Sequence, residues 1–430
     1  MPNFSRRNFL ATSTVAATTL ANASARADSN DRIRAAVLGV NGRGRTHIEQ
    51  LEKQDGVELA MICDPDERVL GNQAKRIEDK FGHKVETATD MRKVFDRDDI
   101  DVVTVATPNH WHSLATIWAC QAGKDVYVEK PGSHNLFEGR KMVEAAHRYK
   151  RIVQHGVQLR SSAALQEAVE HLRKGTIGDV YMARGIVFRW RPSIGKKQPI
   201  AKPNHLDWDL WQGPAQSKPY SPRYVHYNWH WHWDYGNGDV GNQGVHETDM
   251  CMWGLDVGLP SKITAMGGKF LWDDDKETPE VLTSCYHYPD EKKMIQFEVR
   301  HWNTNDEQGA RVGNIFYGSK GILVVGGYDS YVIYLGQRGE VGPSRSEGGE
   351  LERHFANFIQ AVRERKPEIQ NGPVESAHLS SGLAHLGNIA YRLERQLEFD
   401  PKTEKFVNDA EADEMLTRQY REPFVVPNAV

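Results

Sequence analysis

Lys130 is the ionisable residue whose setting most suggests chemistry. It ends the run Val126-Tyr127-Val128-Glu129, and Pro131 fixes the turn that follows. An amine at the mouth of a buried strand is a candidate base, because burial disfavours its charged form. To accept a proton near neutrality it must fall roughly 3 units from about 10.4, on the order of 4 kcal/mol. A second constellation lies upstream. Gly39, Asn41 and Gly44 stand in G-x-G-x-x-G register between the apolar run IRAAVLGV and a polar helical pattern. Gly39 permits a tight turn, and Gly44 lets helix and strand approach. Asn41 replaces the central glycine, with Gly42 beside it to relieve crowding. Asp64 closes the next apolar run, VELAMICD, where an acid can accept a bond from a ribose 2′-hydroxyl. Together they describe a pocket for a dinucleotide. The acid would repel a 2′-phosphate, which favours NAD over NADP while leaving NADP possible.

These residues need a frame that holds them at strand ends. From Ile33 the chain alternates short apolar runs with helical patterns up to GKDVYVEKP, which predicts a parallel, doubly wound Rossmann sheet. In such sheets ligands lie off the carboxyl ends of the strands, where Lys130 and the TPNHWHS stretch at 107–113 fall. Beyond VQLRSS, which contains Arg160, one helical pattern is followed by strand-like runs joined mostly by turns. That pattern predicts an open, mostly antiparallel α+β sheet domain with helices on one face. The expected division is a leader at 1–27, a dinucleotide-binding domain at 31–156, a substrate and oligomerisation domain at 157–400 that includes closing helices at 350–398, and a tail at 401–430.

Six of the eleven tryptophans fall between 190 and 233. If NWHWHWDY at 228–235 is extended, Trp229, Trp231, Trp233 and Tyr235 share one side and Asn228, His230, His232 and Asp234 the other. Trp190, Trp231, Trp233 and Tyr235, with Arg160, are therefore candidates to meet a substrate, stacking on sugar CH faces and bonding hydroxyls. Core packing is at least as good an account of any single indole. His230-x-His232 alone does not make a metal site, and no metal is expected.

The chain resembles the glucose-fructose oxidoreductase, inositol dehydrogenase and rhizopine-catabolism (Gfo/Idh/MocA) oxidoreductases, whose signature is a Glu-Lys-Pro after the fifth strand, here Glu129-Lys130-Pro131. The resemblance runs from Ile33 through the closing helices. It implies that Lys130 stands beside nicotinamide and substrate and that Pro108, Asn109 and His110 line the cofactor. The cofactor contacts then expected are Gly39, Asn41, Gly42, Arg43, Gly44, Asp64, Thr107, Pro108, Asn109, His110, Glu129 and Lys130. Where the family reads Asp-x-Gly-x-His-x-x-Asp this chain has Asn242-Gln-Gly244-Val-His246-Glu-Thr-Asp249. His246 and Asp249 match and Asn242 departs. The implied catalytic set is Lys130, His246, Asn242 and Asp249, with His246 sharing or relaying the hydroxyl proton and Asn242 orienting it. The resemblance also implies a homodimer or homotetramer through the second sheet.

Residues 1–27 carry Ser-Arg6-Arg7-x-Phe-Leu, a modest apolar run from Phe9 to Leu20 and small-x-small cleavage options ending at Ala23 and Ala27. This is the pattern of a twin-arginine signal, which exports folded proteins to the periplasm or beyond. Cleavage after Ala27 would change the formal net charge from −4 to −7. So acidic a chain suits neither nucleic acid nor an anionic membrane, and stable membrane insertion after cleavage is not expected. The four cysteines are scattered in apolar contexts and read as free thiols.

An exported enzyme would have to carry its nicotinamide, and holding it for hours needs a Kd on the order of 10⁻¹⁰ M. Three functions fit: an oxidoreductase acting on a sugar, glycoside or cyclitol CH–OH; a redox-neutral glycoside hydrolase or lyase working through transient sugar oxidation; and a catalytically silent sugar-binding protein.

Overall fold

The computed structural model describes residues 32–302 and 305–430. The leader, with Arg6 and Arg7, lies outside the described residues.

Six strands build the first sheet: β1 (Ile33–Leu38), β2 (Val57–Cys63), β3 (Glu86–Ala88), β4 (Val102–Val105), β5 (Asp125–Val128) and β6 (Val153–His155). All pair in parallel, in the order β3-β2-β1-β4-β5-β6. The order reverses between β1 and β4, so a crevice opens at their carboxyl ends, as a doubly wound sheet requires. Their apolar character follows from burial on both faces. One face packs on the helices Asn109–Gln121 and Leu136–Tyr149. The other packs on Arg43–Leu51 and Glu67–Phe81, and also on the distant helix Glu350–Glu364, whose Phe355 stacks on Tyr127 with ring centroids 4.3 Å apart.

The second domain adds β7 (Val180–Phe188), β8 (Lys262–Gly268), β9 (Val281–Tyr288), β10 (Lys293–Arg300), β11 (Val312–Gly318), β12 (Gly321–Val325), β13 (Ser330–Leu335), β14 (Glu340–Ser346), β15 (Leu397–Asp400) and β16 (Lys405–Phe406), a ten-stranded sheet in the order β14-β13-β12-β11-β7-β10-β9-β8-β15-β16. Every pairing is antiparallel except β10 (Lys293–Arg300) with β7 (Val180–Phe188). Alternation along β7 turns Ala183 and Val187 toward the helices, while Ile186 and Phe188 face the opposite side. The helices Ala163–Arg173, Gly244–Leu255 and Val374–Leu393 cover the first of those faces.

Three departures from the sequence reading matter for the site. Residues 228–235 are not extended: Asn228–Trp231 is a 3₁₀ turn, so the alternating sides do not exist. The reason is the aromatic packing around it, in which Trp229 and Tyr235 join Trp208, Trp211, Tyr220 and Tyr224 in a core of their own. Second, the segment at 401–430 is not a loose tail, for Phe424, Val426 and Val430 pack into the core of the first domain. Third, the helix Glu350–Glu364, expected in the second domain, packs on the first sheet. No described helix is long and apolar enough to cross a membrane. The four cysteines are free, and Cys63, Cys120 and Cys251 are buried.

Candidate active site

At the carboxyl end of the first sheet lies a cavity of about 520 Å³. The glycine turn forms one wall. Gly39 has φ +79°, and a Cβ there would come within 2.8 Å of the Ala106 carbonyl oxygen; a Cβ on Gly44 would overlap the Gly39 carbonyl oxygen. Gly42 caps the helix Arg43–Leu51 without any side-chain hydrogen bond, and although Arg45 N–H donates to Gly42 O at 3.1 Å, no capping side chain competes with a ligand's phosphates for the earlier amides. Asn41, Gly42, Arg43 and Asp64 all line this cavity. Asp64 accepts the backbone N–H of Val40 and of Asp66, each at 3.0 Å, which pins the turn to the end of β2 and still leaves lone pairs for a hydroxyl. Burial holds its carboxyl above the usual range. A dinucleotide fits this cradle. Its residues are those that a pyrophosphate and a ribose need.

Opposite stand Thr107, Pro108, Asn109, Glu129 and Lys130, all lining the same cavity. Glu129 is buried; its Oε1 accepts Arg43 Nε at 2.6 Å and lies 3.0 Å from His47 Nε2. Burial pushes this carboxyl up, but the Arg43 charge and the His47 hydrogen bond outweigh it and keep it well below the ordinary range. Lys130 Nζ donates to the backbone carbonyl of Asn242. Burial lowers the Lys130 amine to about 8, against the opposing pull of Glu129.

His110 does not reach the cavity. It is buried, with Nε2 2.9 Å from the Trp211 carbonyl and Nδ1 3.4 Å from that of Tyr235. His112, one helical turn beyond Asn109, lines the cavity instead, with Nε2 2.8 Å from the Thr107 carbonyl and Nδ1 2.6 Å from that of Pro131. Helical periodicity was the available signal for choosing it.

The second domain contributes Asn242, whose side chain is spent on Asp239 (3.2 Å) and not on His246. Asp239 is buried, is gripped by both Arg191 nitrogens at 2.7 and 2.8 Å, and is held below the ordinary carboxylate range by that charge despite burial. His246 is buried against Tyr328, 5.0 Å between centroids, and does not line the cavity. Burial, then the Lys130 charge, keep it neutral. Asp249 forms a two-pronged ion pair with Arg160 at 2.8 and 2.9 Å, and neither residue lines the cavity.

The tryptophans also divide differently. Trp231 is buried under Arg191 and Lys276, Tyr235 is fully buried, Trp233 lies on a separate cavity with Arg392 over its ring, and Trp190 is half exposed on the second sheet. Besides Trp111 of the first domain, the aromatics that meet the cleft are Trp211, Tyr227 and Trp229, together with His226 and His230. They belong to a segment that folds back onto the first domain: Glu67 N–H donates to His205 O at 2.8 Å, Asp207 N–H to Pro65 O at 2.9 Å, and His205 and His226 each lie 3.0 Å from Asp66. His230 stacks on Trp229 at 3.6 Å, and its Nδ1 is taken by the Tyr227 carbonyl, which leaves Nε2 as the accepting nitrogen. Burial lowers it to about 3. Among the described residues no group of three or more His, Cys, Asp or Glu could hold a metal ion.

Residues 33–157 match the family model described as an oxidoreductase family, NAD-binding Rossmann fold, and residues 173–298 and 333–426 match that of the oxidoreductase family's C-terminal alpha/beta domain. An uncharacterized oxidoreductase of Streptococcus pneumoniae is 24% identical over 319 residues, covering 69% of this chain and 72% of that protein. A glycosyl hydrolase family 109 protein of a Shewanella species is 35% identical over 120 residues, which spans 27% of this chain and only 26% of the hydrolase. The WlbA dehydrogenase from Bordetella pertussis, solved with NADH and UDP-GlcNAcA, shares the fold with a TM-score of 0.65 at 20% identity, over 86% of this chain and 99% of that one.

Proposed function

The chain belongs to the Gfo/Idh/MocA oxidoreductase family, and from that premise we propose that it is an exported NAD-dependent dehydrogenase of a sugar, glycoside or cyclitol CH–OH. The observation that carries this reading is the sharing of one cavity by the glycine cradle and the Lys130 amine. Bound nicotinamide supplies the hydride acceptor.

The chain's own part is to hold the sugar and move one proton. Lys130, lowered to about 8, is in its free-amine form often enough near neutrality to take the hydroxyl proton as the carbon becomes a carbonyl. The Asn242 carbonyl directs its nitrogen. Glu129, locked by Arg43 and His47, keeps a fixed negative charge beside the amine, and His230 presents a neutral nitrogen to the same space. The segment carrying Trp211, Tyr227 and Trp229 narrows the access of water. His246, buried on the helix Gly244–Leu255, feels the Lys130 charge, and Asp249 on the same helix is paired with Arg160. The leader pattern supports export, and tight retention of NAD follows from it.

The match to a glycosyl hydrolase supports a second reading, in which a sugar hydroxyl is oxidised only transiently and a glycosidic bond is cleaved without net redox change. One experiment tests both. The purified mature protein is mixed with aryl and alkyl glycosides while nicotinamide absorbance and aglycone release are followed. Reduction of bound NAD supports the dehydrogenase, aglycone without lasting reduction supports the hydrolase, and binding with neither sinks both.

A further inference from the structure

A second cavity, of about 600 Å³, opens at the carboxyl end of β7. It shares a wall with the first: Asn242 lines one and Gln243, the next residue, lines the other. Its charge is one-sided. Phe188 N–H donates to Arg311 O at 2.7 Å, so Arg311 stands opposite Phe188 and Arg189 one position further along at the ends of paired strands, and both arginines border the cavity. No acidic residue lines it; Asp329, beside Gly327, stays outside the lining. Among the described residues neither arginine has a carboxylate within ion-pair distance, and the one side-chain hydrogen bond shown for the pair runs from Arg189 to Gln243 Oε1 at 3.0 Å. Neighbouring arginines are treated otherwise. Arg184 and Arg300 are each bound to Glu298 and Glu307, and Arg191 to Asp239.

We infer that this cavity is an oxyanion subsite, taking the carboxylate or sulfate of an acidic glycoside whose carbinol lies in the adjoining cleft. The inference rests on the sugar-oxidising reading above and adds the substrate's class. Two arginines bordering one cavity from neighbouring strand ends can bracket a planar or tetrahedral oxyanion, and a charge-assisted bond is the strongest such contact. Trp190, half exposed and edge-on to Trp302 at 4.6 Å and Trp272 at 5.7 Å, offers apolar surface for the sugar ring. Gln243 holds the wall in place by donating to Tyr328 Oη at 2.5 Å and to Glu247 Oε1 at 3.2 Å. Burial raises the Glu247 carboxyl to about 8, so this acid does not cancel the arginines at neutrality.

The test is calorimetric titration of the NAD-loaded protein with methyl β-glucuronide, methyl β-glucoside and methyl β-glucoside 6-sulfate. The expected result is at least one acidic glycoside binding roughly tenfold more tightly than the neutral one, with the preference shrinking in salt. The better of the two identifies the oxyanion as carboxylate or sulfate. In Arg189→Gln/Arg311→Gln the affinities for acidic and neutral sugars converge. Arg311→Gln alone, at an exposed position, gives a partial convergence and guards against misfolding of the double variant. Equal affinity for all three sugars in the wild type, or a preference that survives in both variants, overturns the subsite. The underlying reading fails separately: tight binding of a uronide that never reduces the nicotinamide supports the subsite and removes the dehydrogenase.

Discussion

Arg43 Nε and Glu129 Oε1 meet at 2.6 Å, and the contact joins the first turn of the glycine-rich helix to the residue next to Lys130. Cofactor cradle and candidate base are therefore one mechanical unit. His47, on the same helix and fully buried, makes the second contact to that carboxylate.

Loss of the amine should remove the chemistry and leave the cradle. Lys130→Ala is expected to lower the single-turnover rate of NAD reduction by ~10²–10⁴ with cofactor retained. In the wild type, kcat/KM should rise with pH through about 8 and level off above it, because the free amine is the active form. A profile flat from pH 6 to 9 contradicts the assignment.

Glu129→Gln removes the charge that holds the Lys130 proton on. Since that charge raises the amine, the rising limb should move to lower pH, while cofactor content falls because Arg43 loses its anchor. A broken buried pair of this kind costs about 3 kcal/mol. Denaturant unfolding measures the loss, and an unmoved pH limb would separate Glu129 from the amine.

Gly44→Ala puts a methyl onto the Gly39 carbonyl oxygen, so helix and turn must part. Overpacking of this kind costs about 1–3 kcal/mol. Mass spectrometry of the denatured protein should then find little nucleotide, and full NAD content would show that the turn does not cradle it.

Acid should unfold the protein early. Burial lowers His110, His230 and His385 to about 3 and His354 to about 4, so each binds a proton in the unfolded chain below its ordinary value while the folded form resists it. The unfolded state then holds more protons, and stability falls as pH drops from about 6.5 toward 4, by up to ~1.4 kcal/mol per unit for each histidine. A melting temperature unchanged between pH 7 and 5 refutes this.

Export is tested apart from catalysis. Replacing Arg6 and Arg7 together by lysine should leave the precursor inside the cell, as fractionation would reveal; unaltered export rules out the twin-arginine route.

The sequence alone was enough for the first domain and for the placing of Gly39, Gly44, Asp64, Glu129 and Lys130. Parallel strands buried on both faces leave unbroken apolar runs, and a strand end followed by a glycine turn or by Pro131 is set by local backbone constraints. Those signals do not depend on what packs around them. The histidines and tryptophans do depend on it. Asn228–Trp231 left its alternating pattern because Trp208, Trp211, Tyr224 and Tyr235 offered a better burial, and only the fold could bring those rings together. In the same way, His110 packs against the Trp211 carbonyl while His112, equally buried on the same helix, lines the cleft, Asp249 is claimed by Arg160, 89 residues away, and His230 comes to the cleft on a segment anchored at Asp66. Such choices are made by contacts between distant parts of the chain, each worth little in isolation, and a linear pattern carries no record of them.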